Sequence, residues 1–413
     1  IKLTGFICLH RLHLLFTIYQ TIVHKKDQLM PSSTKLTKAG GQLVFSGFFF
    51  AYFTCFGLVL PFMPYWMVSR GLDAEEAALI LSSAFVSKVF FGLGVGVLAD
   101  ATGHKKRWII ALSVLAFLGF SVFLQFETFW PMLLTWFVVG ALQTSHIPMV
   151  DGLAIAATRL GKLNYSKARL WGSVAFIISS TLSGLYITAF TIEAYPQLLL
   201  VLAAIVIVFS LSLPDIRPQA KTNRKLAFIE LFKLPGFVVI VAAGSLLQAS
   251  HGALYTIGTL HWIKAGISES VIGLLWAQGV AAEVVLFAVG MWLLIRVGVK
   301  GLLWMAVVAA VVRWVTLGLS TDVAVLFIVQ LLHAFTFAAT HLAINQYITQ
   351  KVPDQLTASA QTLYDSLALG AFMGISMTIA GSLYEHISGQ VFWVMALISL
   401  FAGIVLRRYA HLI

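Results

Sequence analysis

Few ionisable residues fall inside the long apolar stretches of this chain, and those few are where chemistry would have to be done. An ionised side chain at the centre of a bilayer costs about 2.5–3.5 kcal/mol, so each such residue needs a reason. Glu283 stands in WAQGVAAEVVLF, flanked by Ala281, Ala282, Val284 and Val285. Arg313 follows in VVRW, and His333 twenty residues after it. A carboxyl in that setting can carry a proton, with a permanent Glu283–Arg313 ion pair as the structural alternative. His333 and His341 are eight residues apart, about 12 Å along a helix, which is too far for one metal ion without a third element. They read as polar lining of a water-filled cavity, with Asn345 one turn beyond His341; His341 reads equally as a hydrogen-bonded packing residue. Asp151 and Arg169, eighteen residues apart, either face a ligand or staple two neighbouring helices. Lys88 lies twelve residues before Asp100, about 18 Å from the end of its helix and too deep for simple snorkelling. A cation there would hold a carboxylate or pair with an acidic neighbour, and Asp365 and Tyr364 sit in another apolar run. Gln143, His146, Gln248, His251, Gln278 and Gln361 are further polar groups, each as able to bridge helices as to line a cavity.

The elements that must position these residues follow from composition. The chain is 60% hydrophobic and 10% charged, with mean hydropathy +0.93, against roughly 25% charged in a soluble domain. Twelve apolar segments of transmembrane length can be drawn, at about 42–68, 76–99, 107–126, 130–157, 166–189, 195–213, 236–263, 270–295, 300–319, 323–350, 358–384 and 390–408. Barrel strands would be half as long and alternate polar with apolar residues. The net charge of +11 points to membrane orientation rather than to nucleic acid, because the basic residues gather in alternate loops. Lys105, Lys106, Arg107, Arg159, Lys162, Arg296, Lys300, Arg407 and Arg408 fall on one side, against Arg70 and Lys264 on the other. The positive-inside rule then places both termini in the cytoplasm, in a bacterial inner membrane.

The longest polar connection, 214–235, divides the chain into halves of nearly equal length, 40–213 and 236–408. A tail 1–39 precedes them, of which 1–29 reads as a misplaced start, and 409–413 follows. Paired six-helix halves with a binding site between them, near the midplane, are a transporter's arrangement. The expected fold is thus all-α, with twelve transmembrane helices in two pseudo-symmetric bundles. No cofactor or metal is expected: Cys8 and Cys55 cannot frame a thiolate site, and no nucleophile elbow or phosphate loop suggests an enzyme.

Between the second and third segments runs Gly96-Val-Leu-Ala-Asp100-Ala-Thr-Gly103-His104-Lys105-Lys106-Arg107. It resembles the loop signature of the major facilitator superfamily, G-x-x-x-D-R/K-x-G-R/K-R/K, with Ala101 and His104 departing from the basic residues. The resemblance implies a gate at Gly96, Asp100, Gly103, Lys105 and Lys106 that closes the cytoplasmic side; a solvated charged turn is the plain alternative. The first segment, FFFAYFTCFGLVLPFMPYW, together with WAQGVAAEVVLF, VVRW, QLLHAFTFAATH and AGSLYE, is similar to the phenylpropionate-permease branch, itself related to lactose permease and other oligosaccharide/proton symporters. That relation implies proton coupling at Glu283, Arg313 and His333. The relative's extra carboxylate, three residues past the histidine, is Thr336 here, and the basic residue three before it is Gln330. The relation also implies solute contacts at Asp151 and Arg169, with Phe176 replacing the tryptophan that stacks on sugar. Lys88 stands where lactose permease has a small neutral residue, which shifts the expectation from sugar toward carboxylate.

The expectation is proton-coupled symport of a small organic solute, an aromatic or other carboxylate, by alternating access. A sugar or nucleoside symporter and a drug-type exporter are the alternatives. The expected partners are solute, protons and lipid, with no nucleic acid, and the carrier is expected to be a monomer.

Overall fold

A computed structural model describes residues 36–216 and 227–413. The proposed misplaced start and residues 217–226 of the central loop therefore lie outside the described residues. The chain is helical throughout the apolar segments, as lipid requires: no water is present there to satisfy backbone groups, and a helix pairs them within itself.

The first half comprises α1 (Lys38–Ser69), α2 (Ala74–Thr102), α3 (Lys105–Phe123), α4 (Phe129–Arg159), α5 (Tyr165–Phe190) and α6 (Tyr195–Ser212). Polar caps set several starts. The Thr37 hydroxyl accepts from Gly40 N–H, and Asp73 with Glu76 forms a reciprocal capping box at the head of α2. After a short helix, Ala227–Phe232, the second half runs α7 (Pro235–Lys264), α8 (269–297), α9 (299–319), α10 (Val323–Lys351), α11 (357–387) and α12 (Val391–Arg408).

Two of these pairs are continuous in helical hydrogen bonding, yet the chain reverses inside each. Gly298 breaks Glu269–Leu319 with φ 67° and ψ 179°, a conformation that a side chain would resist. Glu283 and Arg313 both approach His333, whereas thirty residues of straight helix would separate them by about 45 Å. Likewise Ser376 reaches the sulfur of Met395 at 3.3 Å, which requires the turn at Ser388, φ 49°. Among the described residues, dividing the chain at these two turns gives twelve long helices, each within about a helical turn of the segment drawn from sequence.

Within the first half α1 packs on α5 and α2 on α4; within the second, α7 packs on α12. The halves meet along two seams, α2 against α11 and α5 against α8. Small residues make the seams possible. A Cβ on Gly184 would stand 2.3 Å from Glu269 O, and one on Gly273 2.3 Å from Ser180 O. Gly370 and Gly374 bring α11 onto Val89 and Val86 of α2 in the same way. At the end remote from the termini, Tyr65 and Thr188 hydroxyls donate to Glu269 (both 3.3 Å), and Ser382 donates to Glu75 (2.6 Å). The outer surface is apolar: Leu134, Val208, Ile295, Ile328 and Ile404 are each more than half exposed, a surface that lipid would cover.

Candidate functional site

A cavity of ≈ 170 Å³ lies between the halves. Arg169, Phe53, Phe56 and Phe176 face it from the first half, and Tyr255, Trp276, Glu283, Arg313, Gln330, His333 and Phe337 from the second. Three π-helical turns interrupt the second half, at Leu254–Gly258, Ala334–Ala339 and Leu367–Ala371. The first two carry Tyr255 and Phe337 to the cavity wall. Such turns recur at functional sites because the extra residue re-aims the side chains around it.

Arg313 is the hub of this wall and is 1% exposed. One guanidinium nitrogen donates to Thr336 Oγ1 (2.9 Å) and His333 Nδ1 (3.1 Å), and the other to Gln330 Oε1 (2.7 Å). The guanidinium lies on the Trp314 ring, 4.6 Å from its centroid. Every one of these partners is neutral or a histidine. Gln330 and Thr336, three residues either side of His333, occupy one helical face with it, and they satisfy the arginine with dipoles instead of a carboxylate.

The geometry also fixes how protons are arranged. A guanidinium has donors only, so His333 Nδ1 accepts and a neutral ring carries its proton on Nε2. That nitrogen is 3.5 Å from Glu283 Oε2. The direct Glu283–Arg313 pair weighed from sequence is not formed among the described residues, because the imidazole stands between the two. On the far side, His251 Nδ1 lies 3.0 Å from the carbonyl of Gln248, which can only accept, so Nε2 accepts from Thr336 at 3.0 Å. The result is one buried chain: Glu283, His333, Arg313, Thr336, His251.

Across the cavity, Arg169 stacks on Phe53 (4.4 Å) and Phe49 (5.5 Å). It makes no salt bridge within 4 Å among the described residues. Asp151 accepts from Tyr165 (3.0 Å) and does not line the cavity, although Arg169 is among the charges that act on it. Phe176 is buried in the wall, its ring centroid 6.0 Å from that of Phe56 on α1.

The structure puts the remaining sequence candidates elsewhere. Lys88 is half-buried on α2 beside the α11 seam, outside this cavity wall; Asp365 of α11 is the charge that acts on it. His341 follows Phe337 in a stacked file, 6.4 Å apart, beyond the wall, and Asn345 donates to the carbonyl of His341 (2.9 Å). His146 is satisfied in the core by Ser113 (3.1 Å) and the Leu142 carbonyl (2.9 Å). In the gate motif, Gly103 ends α2 in the left-handed conformation, φ 69°. Lys105 Nζ lies 2.8 Å from where a Cβ on Gly152 of α4 would be. The side chain of Asp100 and the surroundings of Gly96 fall outside what the structure describes. From sequence, Gln330 and Thr336 read as missing charges and His251 as one of many polar groups, while Tyr255 and Trp276 carry no mark at all. Spacing about His333 was the available signal for the first two.

Two six-helix bundles whose buried charges converge on the crevice between them define a membrane transporter of the alternating-access type. The sequence matches the MFS_1 like family over residues 43–395, and the chain belongs to it, a transporter of the major facilitator superfamily. It is 33% identical over 365 residues to the probable 3-phenylpropionic acid transporter of Escherichia coli K12, covering 85% of this chain and 93% of that one. It is 21% identical over 368 residues to the lactose permease of Klebsiella oxytoca, covering 82% and 87%. Its fold is similar to the crystal structure of the nucleoside transporter NupG, with TM-score 0.77, 17% identity, and coverage of 90% and 98%.

Proposed function

We propose that this transporter couples a proton to the uptake of an aryl carboxylate such as 3-phenylpropionate. The observation that carries the reading is the composition of the inter-half cavity. Glu283, its one carboxyl among the described residues, lies 3.5 Å from His333, while Arg313 and Arg169 present positive charge and much of the rest of the wall is aromatic. Arg169 supplies the anion's counter-charge, and Phe53, Phe56 and Phe176 supply apolar surface for a ring. Glu283 takes the proton; His333 orients it, and Arg313, held by Gln330 and Thr336, keeps His333 in the tautomer that faces it. When Glu283 is neutral, the positive field of the two arginines is free for the solute's carboxylate. When the solute leaves, that field favours the ionised glutamate, and the proton is released.

The distribution of Lys and Arg supports the termini lying in the cytoplasm of a bacterial inner membrane. The closed seams at the opposite end support a carrier shut toward the outside, which we read as acting as a monomer. The test uses purified protein in proteoliposomes, following labelled 3-phenylpropionate with and without a pH gradient. Glu283→Gln is expected to abolish gradient-driven accumulation and to retain solute exchange. Accumulation at the wild-type level in that variant would refute the role of Glu283.

A further inference from the structure

The turn between α8 and α9 lies beside the end of α12, where Lys300 Nζ donates to the carbonyl of Ala410 (2.7 Å). The two helices α9 and α12 pack closely there: a Cβ on Gly403 would stand 3.0 Å from Val307 and 3.5 Å from the Trp304 ring. Four cations belong to this corner, Arg296, Lys300, Arg407 and Arg408, and all are exposed. Arg296 stands four residues before Lys300, so their backbones are within about 14 Å. None of the four makes a salt bridge within 4 Å among the described residues. Their own helices offer no partner, since the sequence holds no acidic residue from 284 to 321 or from 386 to 413. The Arg296 guanidinium lies instead over the Trp292 ring, 4.0 Å from its centroid, and that of Arg408 over Tyr409 at 5.9 Å.

Each of the three helices also carries an exposed apolar stripe at helical spacing, and each stripe ends here on one of these cations. On α8 it runs Val285, Val289, Trp292, Arg296; on α9, Val312, Val308, Trp304, Lys300; on α12, Leu397, Phe401, Ile404, Arg408. The surface thus passes from aliphatic through aromatic side chains to unpaired positive charge, the order in which a phospholipid presents acyl chain, interface and phosphate. The general bias of basic residues toward one side does not build this by itself. The exposed stripe of α6, Val201, Ile205 and Val208, ends on Ser212, and the α2–α3 turn has Asp100 beside its basic residues. We propose that this corner binds an anionic phospholipid, its phosphodiester held by Arg296, Lys300 and Arg408 and its acyl chains laid along the three stripes. A phosphatidylethanolamine fits less well, because its ammonium adds positive charge where no carboxylate receives it. Free phosphate would meet the charge and leave the apolar stripes unused.

The test is thermal unfolding of the purified transporter in detergent, titrated with dioleoylphosphatidylglycerol, with the phosphatidylcholine and phosphatidylethanolamine of the same chains, and with inorganic phosphate. Phosphatidylglycerol alone is expected to raise Tm saturably, as a ligand of the folded state does. Arg296→Gln, Lys300→Gln and Arg408→Gln together should weaken its binding by about fivefold per cation, on the order of 100-fold in all. Arg159→Gln, Lys162→Gln and Lys167→Gln together, in the α4–α5 connection of the other half, should change it by less than about threefold, because exposed charges more than roughly 10 Å away are screened. Both variants should keep the wild-type Tm in phosphatidylcholine; if the first does not fold, Arg408→Gln alone is read, with the fivefold loss expected. Equal weakening in the two triple variants overturns the site and leaves only diffuse attraction. Equal stabilisation by phosphatidylcholine or phosphatidylethanolamine, or by inorganic phosphate, overturns an anionic lipid as the occupant.

Discussion

Adding one methyl group at Gly184 should push this transporter toward its other conformation. A Cβ there would stand 2.3 Å from Glu269 O and 3.2 Å from the Cα of Gly273, while ordinary contact begins at 3.4 Å. The obstacle is backbone, so no rotamer change relieves it; α5 and α8 must separate by about 1 Å locally. Overpacking of this kind costs about 1–3 kcal/mol while the seam stays shut. The open state does not bear that cost, so the open/closed ratio should rise by about 5–150-fold. Ser82 provides the reporter. It is buried, and it accepts from Thr378 across the α2–α11 seam at 3.1 Å. In a background lacking Cys8 and Cys55, Ser82→Cys should react with an impermeant maleimide added from the side opposite the termini faster when Gly184→Ala is present, by a factor in that range. Solute turnover should fall in parallel, because closing is now the uphill step. An unchanged labelling rate with unchanged transport would refute the argument that these glycines hold the halves together.

Two further outcomes bear on which cation meets the solute. Arg169→Gln should raise the KM for 3-phenylpropionate by roughly 10–150-fold, the range of a charge-assisted hydrogen bond, and should leave the binding of the neutral amide analogue nearly unchanged; equal effects on acid and amide would remove Arg169 as the anion's partner. Lys88→Ala should leave that KM within about twofold, because Lys88 does not line the cavity and Asp365 of α11 is the charge that acts on it. Any loss of turnover in Lys88→Ala should be recovered at least in part by adding Asp365→Ala, the signature of a charge left unpaired in the membrane. A solute-selective loss of affinity in Lys88→Ala, unrescued, would restore Lys88 as the carboxylate anchor.

How far the site could be read in advance depended on the kind of residue. Glu283, Arg313 and His333 stood out because apolar sequence makes a charge conspicuous, and their convergence on one cavity needed only the antiparallel return of α9 and α10. Gln330 and Thr336 were legible as positions but not as partners. A glutamine and a threonine cost little in a transmembrane helix, so sequence gives no sign that they hold a buried arginine. Lys88 was conspicuous for the same reason as Glu283, yet depth along a helix does not say which way the helix is turned. Its rotation is set by Gly370 and Gly374 admitting Val89 and Val86, and Lys88 is not among the side chains that line the main cavity.

The sequence by itself determined the membrane, the crossings and the two halves. Those rest on the transfer cost of polar groups into hydrocarbon, which accrues residue by residue along a helix and shows in composition alone. Only the tertiary structure decided what each buried charge meets. That His333 separates Glu283 from Arg313, and that Arg169 faces phenyl rings with no carboxylate within 4 Å among the described residues, are consequences of helix rotation and of three π-helical turns. These are properties of packing between distant segments, and the local pattern of a single helix does not contain them.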